Sequence, residues 1–541
     1  MNLKVDWRAS MSLVGRVTKY LTVAFVVPIA AGLYYGDGGL IPFFVTGAIA
    51  VAVGSALERL DDDPDIGARE GFLMVAATWF VVSLVGTLPY MLEHLAIQNG
   101  ALVHTTDTTL HNPVNAMFES MSGFTTTGAT VMGDISFDSH TRALMIWRQM
   151  TQWLGGMGIV VLAVAILPEL SVGGAQLMDA EAPGPGIEKL TPRIAETARA
   201  LWVAYAGITV VEMILLYGLH VGGMAPNMTA YNAIAHGFTT MSTGGFSPEA
   251  RSIEAFAAVV QWLIIPFMVA AGVNFALFWH VMNGNPRKLF EDVEFRTYAG
   301  VIGALSSITA GLLYLDPGLA GPATETASQH YDGVAAGPIA NTFPIFEDVE
   351  GALRQGTFQA VAIVTTTGYA SMDFNAWTGA AKYLLVFAMF IGGSAGSTGG
   401  GIKIVRWLVI VKSLRRELFT TVHPDAVRPV RLAGKPLDDR AIRGIYAFTL
   451  LYFVIFFLST IALVVDATLA GRPQPLSVIE AMTAVAATLG NIGPGLELIG
   501  PMGGYLDFSP GAKVFMVVLM WIGRLEIFPV VVLLTRGYWS S

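Results

Sequence analysis

Ten apolar stretches run through this chain, near residues 20–36, 40–58, 71–92, 143–167, 199–221, 257–282, 297–315, 381–412, 443–466 and 511–535. Each is long enough for a bilayer-crossing helix, which needs about 20 residues. After the third, fifth, seventh and ninth comes a shorter semi-apolar segment: Asn112–Phe124, Ala230–Thr239, Gly356–Val364 and Leu476–Ala487. None of these can cross, so each reads as a half-helix that enters the membrane and returns. The pattern predicts an all-α polytopic membrane protein, an N-terminal helix pair followed by four pseudo-fourfold helix–re-entrant pore loop–helix repeats around a central ion pore. The units are 1–70, 71–185, 186–290, 291–420 (carrying a broken helix) and 421–541.

Each half-helix ends in a loop of hydroxyls and glycine: Thr126-Thr127-Gly128, Ser242-Thr243-Gly244, Thr366-Thr367-Gly368 and Thr488-Leu489-Gly490. The glycines recur about every 120 residues. A loop this polar is tolerated at membrane depth only where it lines a water-filled path. A ring of four such loops offers backbone carbonyls that replace an ion's hydration shell. Glycine at the narrowest point lets successive carbonyls turn inward, because it adopts backbone angles closed to other residues. Each half-helix would point its negative dipole end at the axis, which favours a cation. With carbonyls and hydroxyls and no carboxylate ring, the set favours a monovalent ion over Ca²⁺.

Charge fixes the expected threading. Inner loops hold Arg59 and Arg69; Lys189, Arg193 and Arg199; Arg287, Lys288 and Arg296; then Lys412, Arg415, Arg416, Arg428, Arg431, Lys435 and Arg440. Outer segments hold few cations, chiefly Arg142, Arg251, Arg354, Lys382 and Arg472. Positive charge marks the cytoplasmic side, so the N-terminus is expected inside and all four loops outside. The first apolar run follows Lys4, Arg8, Arg16 and Lys19 without a small-residue cleavage site, and reads as a retained helix.

Composition agrees: 54% hydrophobic residues, 13% charged and a mean hydropathy of +0.59. The net charge of −9 collects in loops, and nucleic acid is not an expected partner. Without cysteine, disulfides, thiolate metal sites and cysteine nucleophiles are excluded. No set of acid, base and nucleophile is visible at membrane depth, so no enzyme and no organic cofactor are expected. The outer segment from Leu315 to Gly351 is rich in Gly, Pro and acids and reads as a solvated loop.

Two features within the spans stand out. Residues 392–401 contain six glycines: Gly392, Gly393, Gly396, Gly399, Gly400 and Gly401, with Ser397 and Thr398 among them. Each costs a helix interior about 1 kcal/mol relative to alanine, so the eighth span should break there. Close helix packing needs small residues only at every fourth position, so a continuous run points to a mobile barrier below the loops. Lys403 and Arg524 are charges at a depth where charge is costly, placed to pair with an acid or with that barrier. Glu212 and Asn274 read as polar residues satisfied between helices.

These motifs resemble the Trk/Ktr/HKT superfamily of potassium transporters, specifically the Trk-type membrane subunit. The resemblance rests on the four loops together with Gln152-Trp153-Leu154-Gly155-Gly156-Met157-Gly158, Gly272-Val273-Asn274-Phe275, the run Gly392–Gly401 and Gly523-Arg524-Leu525-Glu526, in the family's order. It implies K⁺ as the transported ion at the four loops, with one filter glycine in each. Uptake across the plasma membrane would be gated by the glycine run with Lys403 and Arg524. It further implies a homodimer in lipid and a cytoplasmic Rossmann-type (RCK) nucleotide-binding regulator. A potassium-translocating subunit of an ATP-driven pump, or a K⁺/Na⁺ symporter of the same superfamily, are the alternatives.

Overall fold

The computed structural model describes residues 5–64, 67–98, 101–165, 194–319, 345–471 and 475–539. It opens with α1 (Trp7–Ala24), α2 (Val26–Tyr35) and α3 (Leu40–Glu58). Next come α4 (Ala68–Gly86), the single turn α5 (Leu88–Met91) and a hairpin of β1 (Leu95–Gln98) and β2 (Ala101–His104). The chain continues with α6 (Pro113–Phe124) and α7 (Arg142–Ala165). Then come α8 (Ile194–Val221), α9 (Ala230–Met241), α10 (Ala258–Ala271) and α11 (Phe275–Met282). The short α12 (Arg287–Glu291) is followed by α13 (Val293–Tyr314), α14 (Val349–Val364), α15 (Gly379–Ala388) and α16 (Ile404–Val422). A small hairpin, β3 (Arg431–Leu432) with β4 (Lys435–Pro436), leads to α17 (Asp439–Leu469), α18 (Val478–Leu489), α19 (Pro510–Arg524), α20 (Phe528–Leu533) and α21 (Arg536–Trp539).

Among the described residues, six helices are long and apolar enough to cross a membrane, or seven when the bent pair α10–α11 counts as one span. The architecture is all-helical and multi-pass, as the apolar pattern predicts. Four short helices, α6, α9, α14 and α18, lie inside the shell of spans and are buried nearly all round. Each starts on a side-chain cap: Asn112 to the Val114 amide, Thr229 to Asn232, Asp348 to Glu350 and Gly351, Ser477 to Glu480. Such caps satisfy amides that the helix leaves orphaned.

Two boundaries differ from the sequence reading. The first helix begins at Trp7, capped by Asp6, rather than near residue 20. Its polar residues Ser10, Ser12 and Thr18 are buried, and Lys19 pairs with Glu58 on α3. Gly15 and Gly54 bring the two backbones together: a Cβ on Gly15 would meet the Gly54 carbonyl. The third half-helix begins at Val349 rather than Gly356, because Arg354 is not a loop cation. It is buried, bonded to Gln261 and to Glu350, the latter at 2.9 Å.

Two predicted single spans are also broken. The run 257–282 bends by 101° at Gly272-Val273-Asn274, where Asn274 caps α11 through the Ala276 amide at 2.9 Å. Asn274 thus ends a local break rather than bridging two helices. The run 511–535 breaks after Arg524, where Glu526 and Ile527 take positive φ. The break expected in the eighth apolar run is present, between Ala388 and Ile404. Lys4, Lys189, Arg193 and Arg472, the 185/186 boundary and residues 320–344 of the outer segment lie outside the described residues.

Candidate functional site

The four short helices end around one centre, and their exits share one backbone path. After the capping residues Thr125, Ser242, Thr365 and Gly490 come Thr126, Thr243, Thr366 and Asn491, with φ of 52°, 53°, 59° and 54°. Two residues further lie Gly128, Gly245, Gly368 and Gly493, with φ of 78°, 79°, 73° and 104°. Left-handed backbone is costly for a β-branched residue. Here it recurs at the same step of all four units, which is how strain concentrates at functional sites. The amides help to hold it: Thr126 bonds back to Gly123 and Thr127 to Ser122, and Thr243 and Gly244 repeat the pattern, as do Asn491 and Ile492.

The loops close into a ring. A Cβ on Gly128 would strike the Gly244 carbonyl oxygen. One on Gly245 would strike the Thr367 oxygen, and one on Gly368 the Ile492 oxygen. One on Gly493 would lie 2.7 Å from the Thr127 oxygen. The order runs first, second, third, fourth and back to first. Four carbonyls from equivalent positions therefore converge beside four glycines. Glycine is required on two counts, the positive φ and the neighbour's oxygen.

This geometry corrects the register of two loops. Thr126, Thr127 and Gly128, and Thr366, Thr367 and Gly368, stand where the sequence pattern aligns them. In the second unit Ser242 caps the helix, so the equivalents are Thr243, Gly244 and Gly245. In the fourth, α18 runs on to Leu489 and Gly490 caps it, while the Thr488 hydroxyl bonds back to the Ala484 carbonyl at 2.7 Å. Thr488, Leu489 and Gly490 thus precede the ring, and Asn491, Ile492 and Gly493 occupy it. The signal was a second glycine three residues on; counting from the helix end rather than from the first hydroxyl finds it.

Side chains behind the ring fix each loop. Gln152 donates to the Gly244 carbonyl at 2.7 Å and accepts from the Phe246 amide at 3.0 Å. Gln359 donates to the Tyr369 carbonyl at 2.9 Å, and Tyr505 to the Gly493 carbonyl at 2.8 Å. The Asn491 amide bridges to the Thr127 hydroxyl at 2.9 Å and the Met520 carbonyl at 3.0 Å. Between the first two loops lies a buried ion pair, Arg148 to Glu119 at 2.7 Å. Arg148 also reaches the Ser247 carbonyl at 3.0 Å and stacks on Phe246, while Glu119 accepts from Thr130 and the Val131 amide. Of these, Glu119, Arg148, Gln359 and Tyr505 carry no motif legible from the chain alone. Leaving one partner of such a pair buried and uncompensated costs about 3–5 kcal/mol. Glu119→Ala is therefore expected to lower the thermal unfolding midpoint in detergent well below that of Glu119→Gln, which keeps an acceptor. Equal midpoints for both variants and wild type would show that the pair does not brace the loops.

The segment between α15 and α16 lies against the inner ends of these helices. The Gly400 amide bonds to the Thr366 hydroxyl at 2.7 Å, and a Cβ on Gly400 would meet the Gly490 oxygen. Thr398 donates to the Ala271 carbonyl at 3.0 Å and the Met241 carbonyl at 3.2 Å. Gly392 pairs with Ile402, Ile404 with Gly393 and Ser394 with Gly272, while Gly396 accepts from the Phe275 amide; Gly399 and Gly401 sit against Thr365 and Gly392, respectively. Ser397 bonds to the Ser394 carbonyl at 2.6 Å. Lys403 and Arg524 are both buried and both aim at this segment. Lys403 bonds the Gly399 carbonyl, while Arg524 reaches the Thr398 carbonyl at 2.7 Å and Gly155 at 3.2 Å. Arg524 thus pairs with backbone rather than with an acid, and Glu526 instead pairs with Arg406. No group of three metal-ligating side chains occurs among the described residues.

Comparison with known proteins covers nearly the whole chain. The family model TrkH, a cation transport protein, matches residues 41–305 and 344–538. The Trk system potassium uptake protein TrkH of Halomonas elongata is 36% identical over 541 residues, with 99% of each chain covered. TrkH of Salmonella typhimurium is 34% identical over 542 residues, spanning 99% of this chain and 100% of the relative. The crystal structure of the potassium transporter TrkH from Vibrio parahaemolyticus matches with a TM-score of 0.79 at 31% identity, covering 99% of this chain and 100% of that one. Four convergent helix ends, a glycine-lined ring and matches of this extent lead to one conclusion: the chain belongs to the TrkH family of cation transport proteins.

Proposed function

We propose that this protein takes up potassium across the plasma membrane through the ring, with the segment 392–403 as its gate. The observation that carries the reading is the closure of Gly128, Gly245, Gly368 and Gly493 onto carbonyls of the next loop. Carbonyl oxygens fixed at a set spacing replace the hydration shell of a monovalent cation. The four helix C-termini add negative partial charge at the same place. K⁺ is the substrate, held by backbone oxygens of the loops with hydroxyls of Thr127 and Thr367 braced behind them. The relatives are named as potassium uptake proteins and as a potassium transporter, which supports this choice of ion.

The gate reading is supported by Lys403 and Arg524, which fasten the segment by its own carbonyls just inside the ring. The N-terminus lies in the cytoplasm, and the protein works as a homodimer under an RCK-type nucleotide-binding regulator. A route for that control runs through α16, whose Val405 and Val409 pack with Val430, Leu432 and Leu437 of the β3–β4 hairpin. A partner pressing on the hairpin would move the helix that carries Lys403. The experiment is ion flux in proteoliposomes with K⁺, Rb⁺, Na⁺ and a pH gradient varied separately. Rapid K⁺ and Rb⁺ flux with little Na⁺ flux is expected; equal K⁺ and Na⁺ flux would sink the reading.

A further inference from the structure

Glu212 lies well inside the span Ala198–Val221 of α8 and has no exposed surface. Neither carboxyl oxygen completes a hydrogen bond of ordinary geometry. No Lys, Arg or His among the described residues pairs with it: Arg148 is held by Glu119, and Arg524 by the Thr398 and Gly155 carbonyls. The helix α9 crosses close by, where a Cβ on Gly237 would lie 2.6 Å from Met213 Cγ and 3.5 Å from the Thr209 carbonyl. A lone carboxylate in such surroundings is expensive unless a charge or a proton offsets it. An intramembrane acid with no charged partner among the described residues marks a function.

A pair of hydroxyls links it to the residue that follows the third ring glycine. The Thr240 hydroxyl lies against the carboxyl and is 3.2 Å from the Tyr369 hydroxyl. Tyr369 also meets the Thr239 hydroxyl at 2.5 Å and donates to the His236 carbonyl at 3.2 Å. It directly follows Gly368, the third ring glycine. The other titratable groups nearby are engaged. Tyr205 on α8 donates to the Trp153 carbonyl at 2.9 Å. His236 on α9 uses one ring nitrogen on the Asn232 carbonyl at 2.7 Å and the other on the Ser247 hydroxyl at 3.1 Å.

We propose that Glu212 is a proton-binding site coupled to K⁺ occupancy of the ring. The proposal rests on the reading of the ring as the K⁺ path. With the ring empty of K⁺ the carboxyl holds a proton. A cation in the ring favours the carboxylate, and the proton leaves through the Thr240 hydroxyl to bulk water. Linkage is reciprocal, so loss of that proton at high pH tightens K⁺ binding by the same factor.

The test uses the full chain in proteoliposomes, measuring the K⁺ concentration for half-maximal uptake between about pH 6 and 9. Wild type is expected to tighten by about fivefold or more, the lower range of measured couplings. Glu212→Gln should be flat with pH, at the wild-type low-pH value. Thr240→Val, which keeps the acid and removes the hydroxyl, should also lose the dependence. In weakly buffered detergent solution, adding K⁺ should acidify the medium for wild type and not for Glu212→Gln. A wild-type slope retained by Glu212→Gln would assign the proton elsewhere, His236 first, and overturn the proposal, as would a flat wild-type curve. Wild-type protein that carries no K⁺ at all would overturn the potassium reading itself and the linkage with it.

Discussion

Gly368→Ser is expected to cut K⁺/Na⁺ discrimination by about tenfold or more, a change of about 1.4 kcal/mol in relative barrier. Gly368 has φ of 73°, and a Cβ there would collide with the Ile492 carbonyl oxygen. The loop can relieve both only by turning a carbonyl away from the axis, and the serine hydroxyl then enters with different spacing. The fourth loop supplies a sharper comparison. Gly493→Ser meets the Thr127 oxygen from a φ of 104°, whereas Gly490 has an ordinary φ of −83°. Serine at Gly493 should therefore reduce discrimination more than serine at Gly490. Permeability ratios from K⁺ and Na⁺ flux in the folded variants decide it. An unchanged ratio for Gly368→Ser would remove the ring from the selectivity argument, and a larger effect at Gly490 would restore the sequence register.

Arg524→Ala is expected to raise basal K⁺ flux about ten- to hundredfold while leaving selectivity intact. The guanidinium makes charge-assisted hydrogen bonds to the Thr398 and Gly155 carbonyls. Bonds to charged groups are worth about 1.5–3 kcal/mol, which converts to that factor in an equilibrium between two positions of the segment. Deleting Gly396 to Gly400 should have the same direction, since the residues that reach Thr366 and Asn491 are then gone. Regulator dependence should weaken in both variants, because a ligand shifts an equilibrium only by its differential affinity for the two states. Low flux that still depends fully on the regulator after the deletion would return the glycines to a packing role. Their small size would then serve the close approaches to Gly272 and Asn491.

Hydrophobic runs, positive loops and hydroxyl–glycine turns are local signals, and they carried the element order, the four half-helices and the break at 392–403. They did so because a segment's length, polarity and glycine content act on it directly, whatever it later packs against. Selection of one glycine among several is a different problem. Ser242-Thr243-Gly244-Gly245 and Thr488-Leu489-Gly490-Asn491-Ile492-Gly493 each admit more than one register, and the choice depends on where the preceding helix stops. That end point follows from burial of Thr488 and Leu489 and from the oxygens of the next loop, more than 100 residues away along the chain. Tertiary structure also decided what the buried charges do. Glu119 with Arg148, Glu526 with Arg406 and Arg524 with the Thr398 carbonyl are partnerships of distant segments. The isolation of Glu212 has the same origin. A lone acid in an apolar helix looks alike in sequence whether or not a partner awaits it, and only the packing of α9 and the third loop shows that no cation among the described residues does.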